Sequence, residues 1–212
     1  MQKTNSTRRR KYPPRWRKYC AEVRGGHFKK FDFPANITSA DVNRFAARYR
    51  AARAFSGVKI DGYKDATAEG YSGLFSALLT WSAFERFYTI VHGTKQGIYE
   101  YHIPADEHEN LVLALKKNGS CEPFFQYVHD ESDPGKARKG IASILDEGSG
   151  AVKTLSLAGG IRHIFGHGYL TPNANNSKPE EVAEICQLIC GFLFKLMDDG
   201  FRRKIDQALD SL

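Results

Sequence analysis

The sequence predicts an all-α fold. Apolar residues recur at spacings of three and four over most of the 212-residue chain, strand-like alternation is almost absent, and glycine and capping signals punctuate the periodic stretches at helical lengths.

Taken in order, Pro13, Pro14, Gly25, Gly26 and Pro34 keep residues 1–37 out of long regular structure, so residues 1–40 read as an arm. Thr38 to Asp41 is a helix start of the capping-box kind, followed by Val42, Phe45, Ala46, Tyr49 and Ala52 at helical spacing. A break at residues 57–64 leads into a long helix over 66–92, with Tyr71, Leu74, Phe75, Leu78, Trp81, Phe84 and Tyr88 as its packing residues and Gly93 as its stop. Further helices are expected over 105–117, 123–130, 135–147 and 151–165. Ser177 followed by Glu180 makes a second capping-box pattern, with Pro179 tolerable in the first turn. The helix it opens is apolar nearly all round from Val182 to Met197 and reads as the buried centre of a bundle, with a kink permitted at Gly200. Residues 41–212 thus form one helical domain.

Charge is divided along the chain. Residues 1–60 carry sixteen Lys or Arg against three acids, and residues 61–212 carry fifteen against twenty-one, so the net +7 belongs to the N-terminal part. Arg8, Arg9, Arg10, Lys11, Arg15, Arg17 and Lys18 precede the first acid, with Tyr12, Trp16 and Tyr19 among them. Cations that neutralise phosphates, interleaved with aromatic faces that can stack on bases, suit a polyanion such as a nucleic acid. A solvated arm kept basic for solubility, or a targeting signal, are the other readings of this composition. No apolar run has the length of a signal sequence or a membrane span, and Cys20, Cys121, Cys186 and Cys190 do not resemble a secreted disulfide framework. A cytoplasmic protein with no membrane partner is the expectation.

The chemistry concentrates in residues 151–167. On a helical wheel Leu157, Ala158, Ile161, Ile164 and Phe165 form a core face, while Arg162, His163 and His167 fall on the other side with Gly159 and Gly166. Glycine costs about 1 kcal/mol of helix propensity, so two of them on one face invite close approach by another helix or a phosphate backbone. Arg supplies a permanently charged fork for phosphate oxygens, and His exchanges protons near neutral pH. The i, i+4 pairs His163/His167 and Cys186/Cys190 also have zinc spacing, but Ile164 stands where a metalloprotease-type site needs Glu, and the cysteines lie in an apolar helix as core filler. No metal or other cofactor is expected, and no Walker loop, dinucleotide fingerprint or catalytic-triad motif is present.

The string from Ile161 to Asn173, with Arg162, four residues, then His167, resembles the signature of the HEPN superfamily (higher eukaryotes and prokaryotes nucleotide-binding domain). His163 stands at the second position, where that motif most often has Asn but admits other polar residues. The helix pattern is similar over about residues 66–210, with 94–148 as a helical elaboration. The resemblance implies an HEPN-like helical bundle that dimerises with its motifs facing each other. It also implies a metal-independent endoribonuclease, of the kind found in toxin and antiviral systems, with a possible antitoxin or other protein partner. His167 would then be general base or acid, Arg162 would stabilise charge on the phosphoryl oxygens, and His163 would assist. Family members that bind RNA, a nucleotide or a partner protein without cleavage supply the alternative. Glu85 shares a wheel sector with Leu74, Leu78 and Trp81, and is either an acid that holds Arg162 or a rim residue paired with Arg86 or solvent. Because residues five apart diverge on an ideal helix, Arg162 and His167 converge only if the helix end distorts, as Gly166 and Gly168 allow, or if a second copy completes the site; a homodimer joined through Gly159, Arg162 and Gly166 is the expectation.

Overall fold

A computed structural model of the chain describes residues 12–133, 135–145 and 153–210. The described residues hold eight α-helices and no strand: α1 (Trp16–Arg24), α2 (Ser39–Ala54), α3 (Asp65–His92), α4 (Ala105–Lys116), α5 (Cys121–Glu131), α6 (Lys136–Leu145), α7 (Thr154–Gly166) and α8 (Pro179–Asp210). Single 3-10 turns sit at Phe28–Phe31, Ile98–Glu100 and Ala174–Asn176.

The two longest helices, α3 and α8, run along each other and form the centre; α2 and α7 pack on α3, and α6 joins α5 to α7. Their sequences explain the choice. In α8, Val182, Ile185, Cys186, Ile189, Leu193 and Met197 are all buried, so a helix apolar on nearly every side takes the position surrounded by neighbours. In α3, Leu74, Trp81, Phe84 and Phe87 are buried against it. Each such side chain contributes about 1.5–3 kcal/mol by leaving water.

Local signals set several ends. Thr38 and Asp41 form the reciprocal capping box at the start of α2, the Thr38 hydroxyl accepting from the Asp41 N–H at 3.3 Å and the Thr38 N–H donating to the Asp41 carboxylate at 2.9 Å. Gly93 closes α3 in the left-handed region, φ 75°.

Three expectations need correction. First, the described part of the stretch read as an arm, residues 12–40, is docked on the bundle. Residues 16–24 are helical, and Tyr19 and Phe31 are each 1% exposed. The rings of Trp16, Tyr19 and Phe31 join Phe201 of α8 in one cluster, with centroids 5.1–6.1 Å apart. Trp16 and Tyr19, expected to stack on bases, are used here for packing. Second, α8 runs unbroken through Gly200. A Cβ there would fall 2.4 Å from the Phe87 ring, so the glycine serves close helix packing and not a kink. Third, Ser177 and Glu180 do not cap α8, which begins at Pro179. The Ser177 hydroxyl is buried without a hydrogen-bond partner among the described residues, while the Ser120 hydroxyl at the start of α5 accepts from the Lys178 N–H at 2.9 Å.

Candidate functional site

Helix α7 carries the arginine and both histidines, and its burial changes abruptly along its length. Every residue from Thr154 to Ile161 is buried, including Ser156, Gly159 and Gly160. The small residues fit their surroundings: a Cβ at Gly160 would lie 2.5 Å from Ile141 of α6, and one at Gly159 would lie 2.6 Å from the Tyr99 ring. The open glycine face expected from the wheel is therefore closed at position 159 by this chain's own Tyr99. That overturns the argument that Gly159 was left bare for a second copy. At Gly166, by contrast, an added Cβ would meet nothing within 4 Å among the described residues beyond its own turn of helix.

From Arg162 onward the helix emerges. Arg162 and His167 are exposed and His163 is partly so. The end is shaped by a Schellman arrangement: Gly168, at φ 81°, donates to the Phe165 carbonyl at 3.0 Å, and Tyr169 donates to the Ile164 carbonyl at 3.1 Å. Glycine after the second histidine is what permits this turn, and it fixes His167 at the helix cap. The two imidazoles then lie edge to face, ring centroids 4.6 Å apart. His163 Nε2 is 3.3 Å from the Asp133 carboxylate, an ion pair whenever the imidazole is protonated.

A cleft of about 260 Å³ opens beside this end of α7, walled by Trp81 and Glu85 of α3, Tyr99 of the 98–100 turn, Asp133, Arg162 and His163. Tyr99 stacks on Trp81, centroids 5.8 Å apart with planes 21° from parallel. Burial raises the Tyr99 phenol above its ordinary pKa, the nearby Glu85 charge adds to that, and Arg162 opposes it. Glu85 and Arg162 thus flank the same phenol, yet no ion pair joins them among the described residues. Arg86 is not Glu85's partner either, because it pairs with Asp41.

Of the arm cations, Arg8, Arg9, Arg10 and Lys11 lie outside the described residues. Arg15 is paired with Asp206 at 2.8 Å, while Arg17 and Lys18 are exposed. With Tyr12, Trp16 and Arg202 they border a larger cleft, about 600 Å³, that shares no lining residue with the first. No imidazole or carboxylate among the described residues lines it, so it has the charge to hold an anion but lacks the histidines of the first cleft.

Cys186 and Cys190 are buried in α8, and burial pushes the Cys190 thiol up to about 11 and the Cys186 thiol higher than its ordinary value. Among the described residues no group of three or more His, Cys, Asp or Glu side chains is placed to hold a metal ion, and no helix is long and apolar enough to cross a membrane.

Tyr99 and Asp133 escaped the sequence reading. Both sit in short irregular segments without periodicity, between α3 and α4 and between α5 and α6. The one available signal was Gly159 itself, since a helical glycine implies something that fills its space. No protein family, curated protein or solved structure matches the chain.

Proposed function

We propose that the protein is a metal-independent endoribonuclease of the HEPN type. The observation that carries this reading is the emergence of Arg162, His163 and His167 together at the one open end of an otherwise buried helix, with the imidazoles 4.6 Å apart. Surface-exposed groups on a rigid scaffold can meet a polymer, and two neighbouring imidazoles can serve one phosphodiester as base and acid.

The chemistry follows from those groups. His167, in its neutral form, takes the proton of a ribose 2′-hydroxyl as that oxygen attacks the adjacent phosphorus. The guanidinium of Arg162 stabilises charge on the non-bridging oxygens as the five-coordinate state forms. His163, protonated and held by Asp133, gives a proton to the departing 5′-oxygen. The products are a 2′,3′-cyclic phosphate and a 5′-hydroxyl. A two-fold dimer through Arg162, Gly166 and the exposed end of α7 would bring a second set of these groups opposite the first.

The test is end chemistry after incubation with RNA in excess chelator. Cyclic-phosphate ends that vanish in folded Arg162→Ala and His167→Ala protein support the enzyme. RNA left intact across substrates and salt concentrations favours a module that binds without cutting. Cleavage abolished by chelator and restored by magnesium or zinc overturns the metal-free chemistry.

A further inference from the structure

The cleft beside Arg162 is lined in a way that phosphate binding alone does not explain. A polyanion is repelled by carboxylates, yet Glu85 and Asp133 both face the cleft that Arg162 and His163 share. Asp133 is accounted for by His163 at 3.3 Å. Glu85 is not: it is partly buried, and no hydrogen bond or ion pair engages its carboxylate among the described residues. An ionised carboxylate only accepts hydrogen bonds, so N–H or O–H donors, from water or from a ligand that displaces it, complete a half-buried one. Beside it stands an aromatic wall, Tyr99 backed by Trp81, held in place by Gly159. Aromatic wall, acceptor and adjacent cation are the three elements that recognise one nucleotide: a face to stack on, a partner for the base edge, and a charge for the phosphate.

We infer that this cleft is a base pocket in which Glu85 accepts the N1–H and N2–H of a guanine stacked on Tyr99, while Arg162 holds that nucleotide's phosphate. The inference rests on reading the site as one that engages RNA. Guanine is selected by its edge. It is the base whose Watson–Crick face offers two adjacent donors, which match the two oxygens of one carboxylate. Adenine and cytosine each place a ring acceptor beside their amino group, and uracil flanks its single N–H with carbonyls, so each would set a lone pair against Glu85. The pocket therefore makes the proposed cleavage selective for guanosine next to the cut bond.

Calorimetry of the full chain with the four nucleoside 3′-monophosphates tests the pocket without any cleavage. Guanosine 3′-monophosphate should bind about tenfold or more tightly than the other three, the scale of one good bidentate contact. Glu85→Gln, checked for unchanged melting, should bring the four within about threefold of one another. Tyr99→Phe should keep the guanine preference, because it keeps the ring. Equal binding of all four nucleotides, no binding of any, or a preference that survives Glu85→Gln overturns the pocket. Sequencing the new ends of a randomised RNA separates this from the ribonuclease reading. Cuts without adjacent guanosine overturn the pocket alone, and uncut RNA with guanine-selective binding overturns the nuclease alone.

Discussion

The edge of the Tyr99 ring abuts Gly159, so close that a methyl group at position 159 would sit 2.6 Å from both its Cε1 and its hydroxyl oxygen. A turn near the middle of the chain is thereby locked to the helix that carries Arg162, His163 and His167, and one wall of the cleft depends on a missing side chain. Gly159→Ala should displace Tyr99 and cost about 1–3 kcal/mol, as overpacking in a full interior does. Gly166→Ala, with open space around it, should cost nothing. Thermal melting of the two variants checks this, and equal melting temperatures would show that Tyr99 yields freely.

The two capping-box patterns also make opposite predictions. Thr38→Ala removes a formed cap and should cost about 1 kcal/mol, a fall of about 2–4 °C in melting temperature for a chain of this size. Ser177→Ala removes a buried hydroxyl that has no partner among the described residues. It should leave stability unchanged or raise it, since an unsatisfied polar group is destabilising. A loss at Ser177 as large as that at Thr38 would mean that its hydroxyl finds a partner in solution.

That contrast shows where the sequence was legible. Thr38 caps its helix through contacts within four residues, which local pattern captures. At Ser177 the outcome is decided by Ser120, 58 residues from Lys178, whose hydroxyl takes the Lys178 N–H and donates to Glu181. Helix positions and the buried α8 were readable because periodicity encodes burial. The α7 wheel placed Arg162 and His167 near a helix end but assigned Gly159 to an open face, because Tyr99 comes from an irregular turn 60 residues away. The cations of the arm hid its buried or half-buried rings Trp16, Tyr19, Phe28, Phe31 and Phe33, two of which, Trp16 and Tyr19, meet Phe201 near the C-terminal end of α8.

His108 gives a pH prediction. Its Nδ1 lies 2.8 Å from the Thr154 hydroxyl at the start of α7, and burial holds the imidazole below its ordinary pKa, with Glu107 opposing and His102 adding to the shift. The unfolded chain then binds a proton that the folded chain refuses, so unfolding free energy rises with pH across the interval between the two values. The contribution is full above about pH 6.5, the ordinary histidine value, and declines as the pH falls below it. Melting temperature followed from pH 8 to pH 5 should fall less steeply in His108→Asn than in the parent. Asp198, whose carboxyl burial raises, acts in the opposite sense but equally in both proteins. Parallel curves would show that His108 is not the titrating group.

The docked α1 changes how the arm must be tested. Removing residues 1–20 would also remove Trp16 and Tyr19 from the cluster around Phe201, so weaker RNA binding could come from damage to the fold. Removing residues 1–11 takes away Lys3, Arg8, Arg9, Arg10 and Lys11 and leaves every described residue in place. On single-stranded RNA each neutralised phosphate adds about 0.7 to the slope of log affinity against log salt, so this shorter deletion should flatten the slope by up to about 3.5. Melting temperature should stay at the parent value, and guanine selectivity, which depends on Glu85 and Tyr99, should be untouched. Deleting residues 1–24 should instead lower the melting temperature, because burial of a large aromatic side chain contributes about 1.5–3 kcal/mol and both Trp16 and Tyr19 are lost. An unchanged salt slope after removal of residues 1–11, measured on protein that melts normally, would assign the arm a task other than holding RNA.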